Sequence, residues 1–181
     1  MLKEFKEWFQ EIEKQAIDRK KNLALDRFND ATRWKEIIWP APEKNFEIKK
    51  KFRDKGHELG YKSRPSYVTK ASEWLYDFVW RKFDCENNLT QVVLAMEIEL
   101  SDLNEPVHKH DFNKLLQADS TYKIFVFQAK SEDECKTAMA TLKESALNYR
   151  FRFESGFLLC AWCTSFNTFL FDDFIGLPGR Q

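Results

Sequence analysis

Glycine and proline are scarce in this chain, five of each in 181 residues, and histidine is scarcer still at three. Such scarcity excludes collagen-like, low-complexity and Pro-rich disordered organisation. No window approaches a run of eighteen apolar residues, and the first twenty positions are studded with Lys, Glu and Asp. A helical membrane span and a secretory signal are therefore not expected, and a cytoplasmic protein is the simplest reading. An excess of one charge is lacking too, since Lys plus Arg and Asp plus Glu both number 29. No overall field draws the chain to polyanions, so any nucleic-acid binding has to come from a local patch. Cysteine is limited to Cys85, Cys135, Cys160 and Cys163, which in a cytoplasmic setting are reduced thiols. Cys160 and Cys163 form a CxxC inside the extended apolar run "GFLLCAWCTSF". Residues three apart on a strand point to opposite faces, and no second CxxC or His pair completes a tetrahedral site, so buried structural thiols are expected.

What the chain has in quantity is aromatic surface: 17 Phe and 6 Trp within a 43% hydrophobic composition. That is enough for one well-packed domain with an appendage. Apolar groups at Leu2, Phe5, Trp8, Phe9, Ile12, Ala16, Leu23 and Phe28 recur at spacings of three or four, which predicts an amphipathic helix to about Asp30. Its aromatic stripe either packs on the protein's own core or offers a face to a partner, a second copy included. "IIWPAP" ends the following short helical stretch, because Pro40 and Pro42 remove donors and favour extended geometry. The expected division is therefore an N-terminal helical extension over 1–42 and a core over 43–181.

Within the core, Glu43 to Leu59 predicts a second helix carrying "KKKFRDK", Lys49 to Lys55, either a solvated face or a phosphate-facing patch. Strands are expected at "YDFVWRKFD" and "TQVVLAMEIEL", joined by a turn at "CENN". A helix at "KHDFNKLLQAD", a strand at "YKIFVFQAK", a helix after the Ser131 cap, and strands at "GFLLCAWCTSF" and "TFLFDDF" complete the order. Alternation of this kind means α/β with a mixed central sheet rather than a doubly wound one.

Two carboxylates interrupt the best strand. Glu97 and Glu99 share a face with Val93 and Ala95, while Leu94, Met96 and Ile98 line the other. Burying a carboxylate is costly unless it is paired or bound to metal. An antiparallel hairpin brings Asp77 near Glu97, and three convergent carboxylates are the oxygen-rich setting that Mg²⁺ or Mn²⁺ requires. On the next helix Asp111 and Lys114 are three apart, so Lys114 can reach back over that cluster. The plainer alternative makes Glu97 and Lys114 a structural ion pair, Glu99 a solvated strand end and Asp77 a hairpin-edge acid. "HKH", His108 to His110, reads as an exposed loop before that helix, with a metal or catalytic role as its alternative. Gln128 and Lys130 lie at a strand end that could border the same cleft.

An Asp on one strand, E-x-E on the next and a "DFNKLL" helix after it resemble the PD-(D/E)xK nuclease superfamily, the restriction-endonuclease-like fold. The likeness runs from about Glu73 to Lys130 and is nearest to bacterial members with an "EWLYD…LALE-x-E…DFxKLL" layout. It implies a restriction-endonuclease-like mixed central sheet flanked by helices, and metal-dependent phosphodiester hydrolysis of nucleic acid, DNA foremost. It also implies Asp77 and Glu97 as metal ligands, Glu99 where the pattern more often has its Lys, and Lys114 as a relocated catalytic lysine. Glu58 or Glu47 on the preceding helix would supply a further acidic ligand, with Asp111 and Gln128 nearby. Tyr76-Asp77 replaces the Pro-Asp of the pattern. A noncatalytic interaction or regulatory protein of the same fold, using its aromatic N-terminal helix, is the rival expectation.

Overall fold

A computed structural model describes residues 1–66, 75–100 and 105–178, the side chains of 105–108 apart. Helix α1 (Leu2–Phe28) runs into a 3₁₀ turn (Ala31–Glu36), and α2 spans Ala41–Glu58. A short strand β1 (Lys62–Arg64) precedes β2 (Phe78–Phe83) and β3 (Leu89–Glu99). Then come α3 (Glu105–Leu116), β4 (Ser120–Ala129), α4 (Glu132–Asn148), β5 (Ser155–Cys163) and β6 (Thr168–Gly176). The six strands lie in sequence order in one sheet. β2 is antiparallel to both its neighbours β1 and β3, β3, β4 and β5 are parallel, and β6 returns antiparallel at the far edge. This is a mixed sheet flanked by helices, as the alternation of elements predicted. None of the described helices is long and apolar enough to cross a membrane.

Local signals account for the element ends. Ser131 accepts from the Glu134 amide at 3.2 Å, and the Glu134 side chain takes the Ser131 N–H in return, which closes a capping box at the start of α4. Asp84 accepts from the amides of Glu86 and Asn88, and Asn87 adopts φ 65°, so the β2–β3 turn is built from side chains that tolerate it. α3 begins at Glu105 with Pro106 in its first turn, where a missing N–H costs nothing. The "HKH" stretch is therefore helical and not the loop expected. His110 is exposed there, and the side chain of His108 lies outside the described residues, as do Glu73 and Trp74 of "EWLYD".

The sheet buries both faces. Phe78, Trp80, Leu94, Met96, Ile124, Val126, Leu158 and Cys160 face α1 and α2. Val79, Ala95, Phe125, Phe127, Leu159, Ala161 and Cys163 face α3 and α4. Cys160 and Cys163 thus fall in different cores, as their spacing on a strand requires, and all four cysteines are free thiols. The aromatic stripe of α1 is consumed by the first core. Phe5 and Phe9 are fully buried, and Phe5 packs within 5.6–5.8 Å of the Phe52 and Trp80 rings. The stripe is not a partner-binding face, because its rings already fill the space between the sheet and α2. Residues on both sides of position 42 share this cluster, so packing does not stop at the expected boundary.

α2 sits close to the sheet. The Trp80 indole N–H donates to the Phe52 carbonyl at 2.9 Å, and a Cβ placed on Gly56 would stand 2.2 Å from that same nitrogen. Only glycine leaves room for the indole at this position.

Candidate functional site

The end of the sheet where β3 stops and β2 begins gathers the charged residues singled out in the sequence. The register pairs Phe78 with Met96, and one step outward sets Asp77 across from Glu97. Asp77 is too near the strand end to hand its carboxylate to a core. Its Oδ2 instead accepts from the Ile98 amide at 2.7 Å, and its Oδ1 lies 3.6 Å from Nζ of Lys49 on α2. Glu97 points toward α3, where Lys114 meets it, as the alternation of β3 predicts.

Glu97 is 2% exposed. Nζ of Lys114, on a side chain 40% exposed, stands 2.8 Å from its Oε1, so the buried carboxylate is met by an ammonium that itself reaches solvent. Burial pushes the Glu97 carboxyl up to about 7. Lys114 pulls against that rise, while the charges of Asp77 and Asp111 add to it. Burial likewise draws the Lys114 ammonium down, but the Glu97 and Asp111 carboxylates outweigh it and hold Lys114 above its ordinary value. Asp111 is 3.4 Å from Lys114, one helical step away.

Two lysines thus reach one pair of carboxylates from the two helical layers. Lys114 was expected from its spacing with Asp111; Lys49 was expected only as one of a basic run. Tyr76, half-buried beside this pair, has its phenol raised by burial and by the charge of Glu97, with Lys114 opposing. No sequence signal beyond its adjacency to Asp77 pointed to it.

Other expected members fall elsewhere. Glu99 ends β3 on the Glu97 face, half-buried. Glu47 is taken by Arg19 at 2.6 Å, and Glu58 pairs with Lys55 at 2.7 Å on the surface, so neither is an additional ligand. Gln128 belongs to the opposite face of the sheet, because its even position on β4 turns it toward α2. There it accepts from Lys44 Nζ at 2.7 Å. The Lys130 side chain is exposed, and its amide serves the α4 cap. Apart from Lys49, the basic run is largely answered by acids: Lys50 by Asp54, Lys51 by Glu11 and Lys55 by Glu58.

Among the described residues no three His, Cys, Asp or Glu side chains gather closely enough to hold a metal ion. The expected trio of carboxylates is reduced to the pair Asp77 and Glu97. No family model, no curated protein and no solved structure matches the chain.

Proposed function

We propose that the chain hydrolyses phosphodiester bonds in nucleic acid, with DNA as the substrate, through a PD-(D/E)xK-like site on Asp77 and Glu97. The observation that carries this reading is the buried Glu97 carboxylate, set across the strand register from a second carboxylate and flanked by Lys49 and Lys114. Mg²⁺ commonly takes only one or two carboxylates and fills its shell with water and phosphate oxygens, so a two-carboxylate donor set fits Mg²⁺ or Mn²⁺. Asp77 and Glu97 would hold the ion. Bound there, it would neutralise the scissile phosphate and acidify the attacking water.

The chain's own residues supply the rest. Lys114, shared between Glu97 and Asp111, is held protonated and offsets negative charge gathering on the phosphate. Lys49 does the same from the Asp77 side. Asp77, fixed by the Ile98 amide, keeps its carboxylate oriented without a long side chain to immobilise.

Thermal melts with and without Mn²⁺, run beside a cleavage assay on single- and double-stranded DNA, test the proposal. Binding to the folded state alone raises the melting temperature in wild type, and Glu97→Gln removes both that rise and the cleavage. A wild type indifferent to Mn²⁺ and inert on DNA would instead make Glu97 and Lys114 a structural ion pair.

A further inference from the structure

The segment Tyr149-Arg150-Phe151-Arg152-Phe153, which follows α4, alternates aromatic and guanidinium side chains. One ring anchors it: Phe151 is buried, with its centroid 5.4 Å from Phe157. The others are left to solvent, Tyr149 at 38% and Phe153 at 55% exposure, with both arginines exposed beside them.

A cavity of about 220 Å³ opens between this segment and the starts of β4 and β5, lined among others by Asp119, Lys123, Arg150, Arg152, Phe153 and Ser155. A neighbouring cavity of about 420 Å³ shares Asp119 and Phe153 with it. Lys123 is 1% exposed, donates to Ser155 Oγ at 2.7 Å and to the Ser120 carbonyl at 3.2 Å, and has no carboxylate within ion-pair distance among the described residues. Its ammonium lies 5.3–5.5 Å from the Phe157 and Phe151 rings, and burial lowers it to about 8. Three cationic side chains therefore line the smaller cavity against one acid, Asp119. A purely structural lysine would account for Lys123 alone. It does not account for Arg150 and Arg152, which have no carboxylate within ion-pair distance among the described residues, nor for the Arg152 guanidinium lying 5.2 Å over the exposed Phe153 ring at the mouth.

We propose that this cavity is a nucleotide subsite, with a phosphate drawn to Arg150 and Arg152 above Lys123 and the base stacked on Phe153. Cations along a backbone path combined with an aromatic platform are what single-stranded nucleic acid binding requires. The subsite shares no lining residue with the Asp77–Glu97 cluster and does not rest on the proposed hydrolysis.

The test uses full-length protein and a fluorescein-labelled ten-nucleotide thymidine strand, read by anisotropy across a salt series, with thymidine 5′-monophosphate and inorganic phosphate as competitors. Phe153→Ala is expected to weaken strand binding about tenfold. Arg150→Ala with Arg152→Ala is expected to flatten the log–log salt slope by about 1.4, two phosphate contacts' worth on a single strand. Both variants sit on exposed side chains and are expected to melt as wild type does. Competition by the mononucleotide assigns the subsite to free nucleotides as well as strands, and its absence, with strand binding retained, assigns it to strands. Absence of wild-type binding, equal binding by all variants, or competition by inorganic phosphate as strong as by the mononucleotide would each overturn the proposal.

Discussion

Lys49 of α2 and Asp77, the residue before β2, stand 3.6 Å apart, which ties the middle of a helix to the carboxylate end of the sheet. If that ammonium serves the proposed chemistry, Lys49→Met lowers single-turnover DNA cleavage by about a hundredfold, the usual effect of removing one preorganised charge at a reacting centre. Lys50→Met, whose partner Asp54 lies on the surface, is the matched control and leaves cleavage unchanged. Equal rates in both variants remove Lys49 from the site.

Lys114 separates catalysis from folding. Without metal, Lys114→Met strands the buried Glu97 carboxylate and is expected to destabilise the protein by roughly 3–5 kcal/mol. In Mn²⁺ the proposed ion replaces the lost ammonium. The variant should then come within about 1 kcal/mol of wild type while cleavage stays lost. Denaturant titrations with and without Mn²⁺ measure the two gaps, and a deficit that persists in metal assigns Lys114 to structure.

Lys44 provides a pH signature on the other face of the sheet. It is 3% exposed, held by Gln128 and by the Trp39 and Trp162 rings, and burial, with the charge of Lys20 adding, lowers it from 10.5 to about 8. Between those values the unfolded chain binds more protons than the folded one, so this group's contribution to stability rises with pH from about 8 to 10.5. The full gain is on the order of 3 kcal/mol. Wild type is expected to gain on Lys44→Met across that window when both are unfolded in urea, and parallel curves would place the folded value at its ordinary position.

Phe9 tests whether α1 is a layer of the fold. Its ring is fully buried, 5.2 Å from Phe52 and 5.3 Å from Phe169. Phe9→Ala is expected to cost about 3–5 kcal/mol in urea unfolding. A cost below about 1 kcal/mol would mean that the helix is docked loosely.

Periodicity carried most of the architecture. β3 reads as a strand from alternation around Glu97, α4 from Ser131 and the acids after it, and the split of Cys160 from Cys163 follows from strand geometry alone. β1 escaped notice because three polar residues at an edge carry no apolar pattern to read. The first turn of α3, before Lys109, was missed: it holds Pro106 where a missing N–H costs nothing, and it carries no apolar spacing to read. Within the site, Asp77, Glu97, Asp111 and Lys114 were legible, since strand and helix periods are local. Lys49 was not, because its position depends on where α2 lies across the sheet, a tertiary fact. Gln128 was misplaced because its face relative to Glu97 depends on the β3–β4 register, which sets Phe125 beside Glu97.

That dependence on the position of α2 returns to Gly56. The indole of Trp80 occupies the space a side chain at 56 would fill, so the two positions behave as a single size constraint. Lys49 lies seven residues up the same helix, and any atom added at 56 lifts α2 from β2 and carries the ammonium away from Asp77. Related chains are therefore expected to vary these positions together, a larger residue at 56 appearing only with a smaller ring or none at 80. A lone Gly56→Ala would register as a change at Asp77 together with a loss of stability.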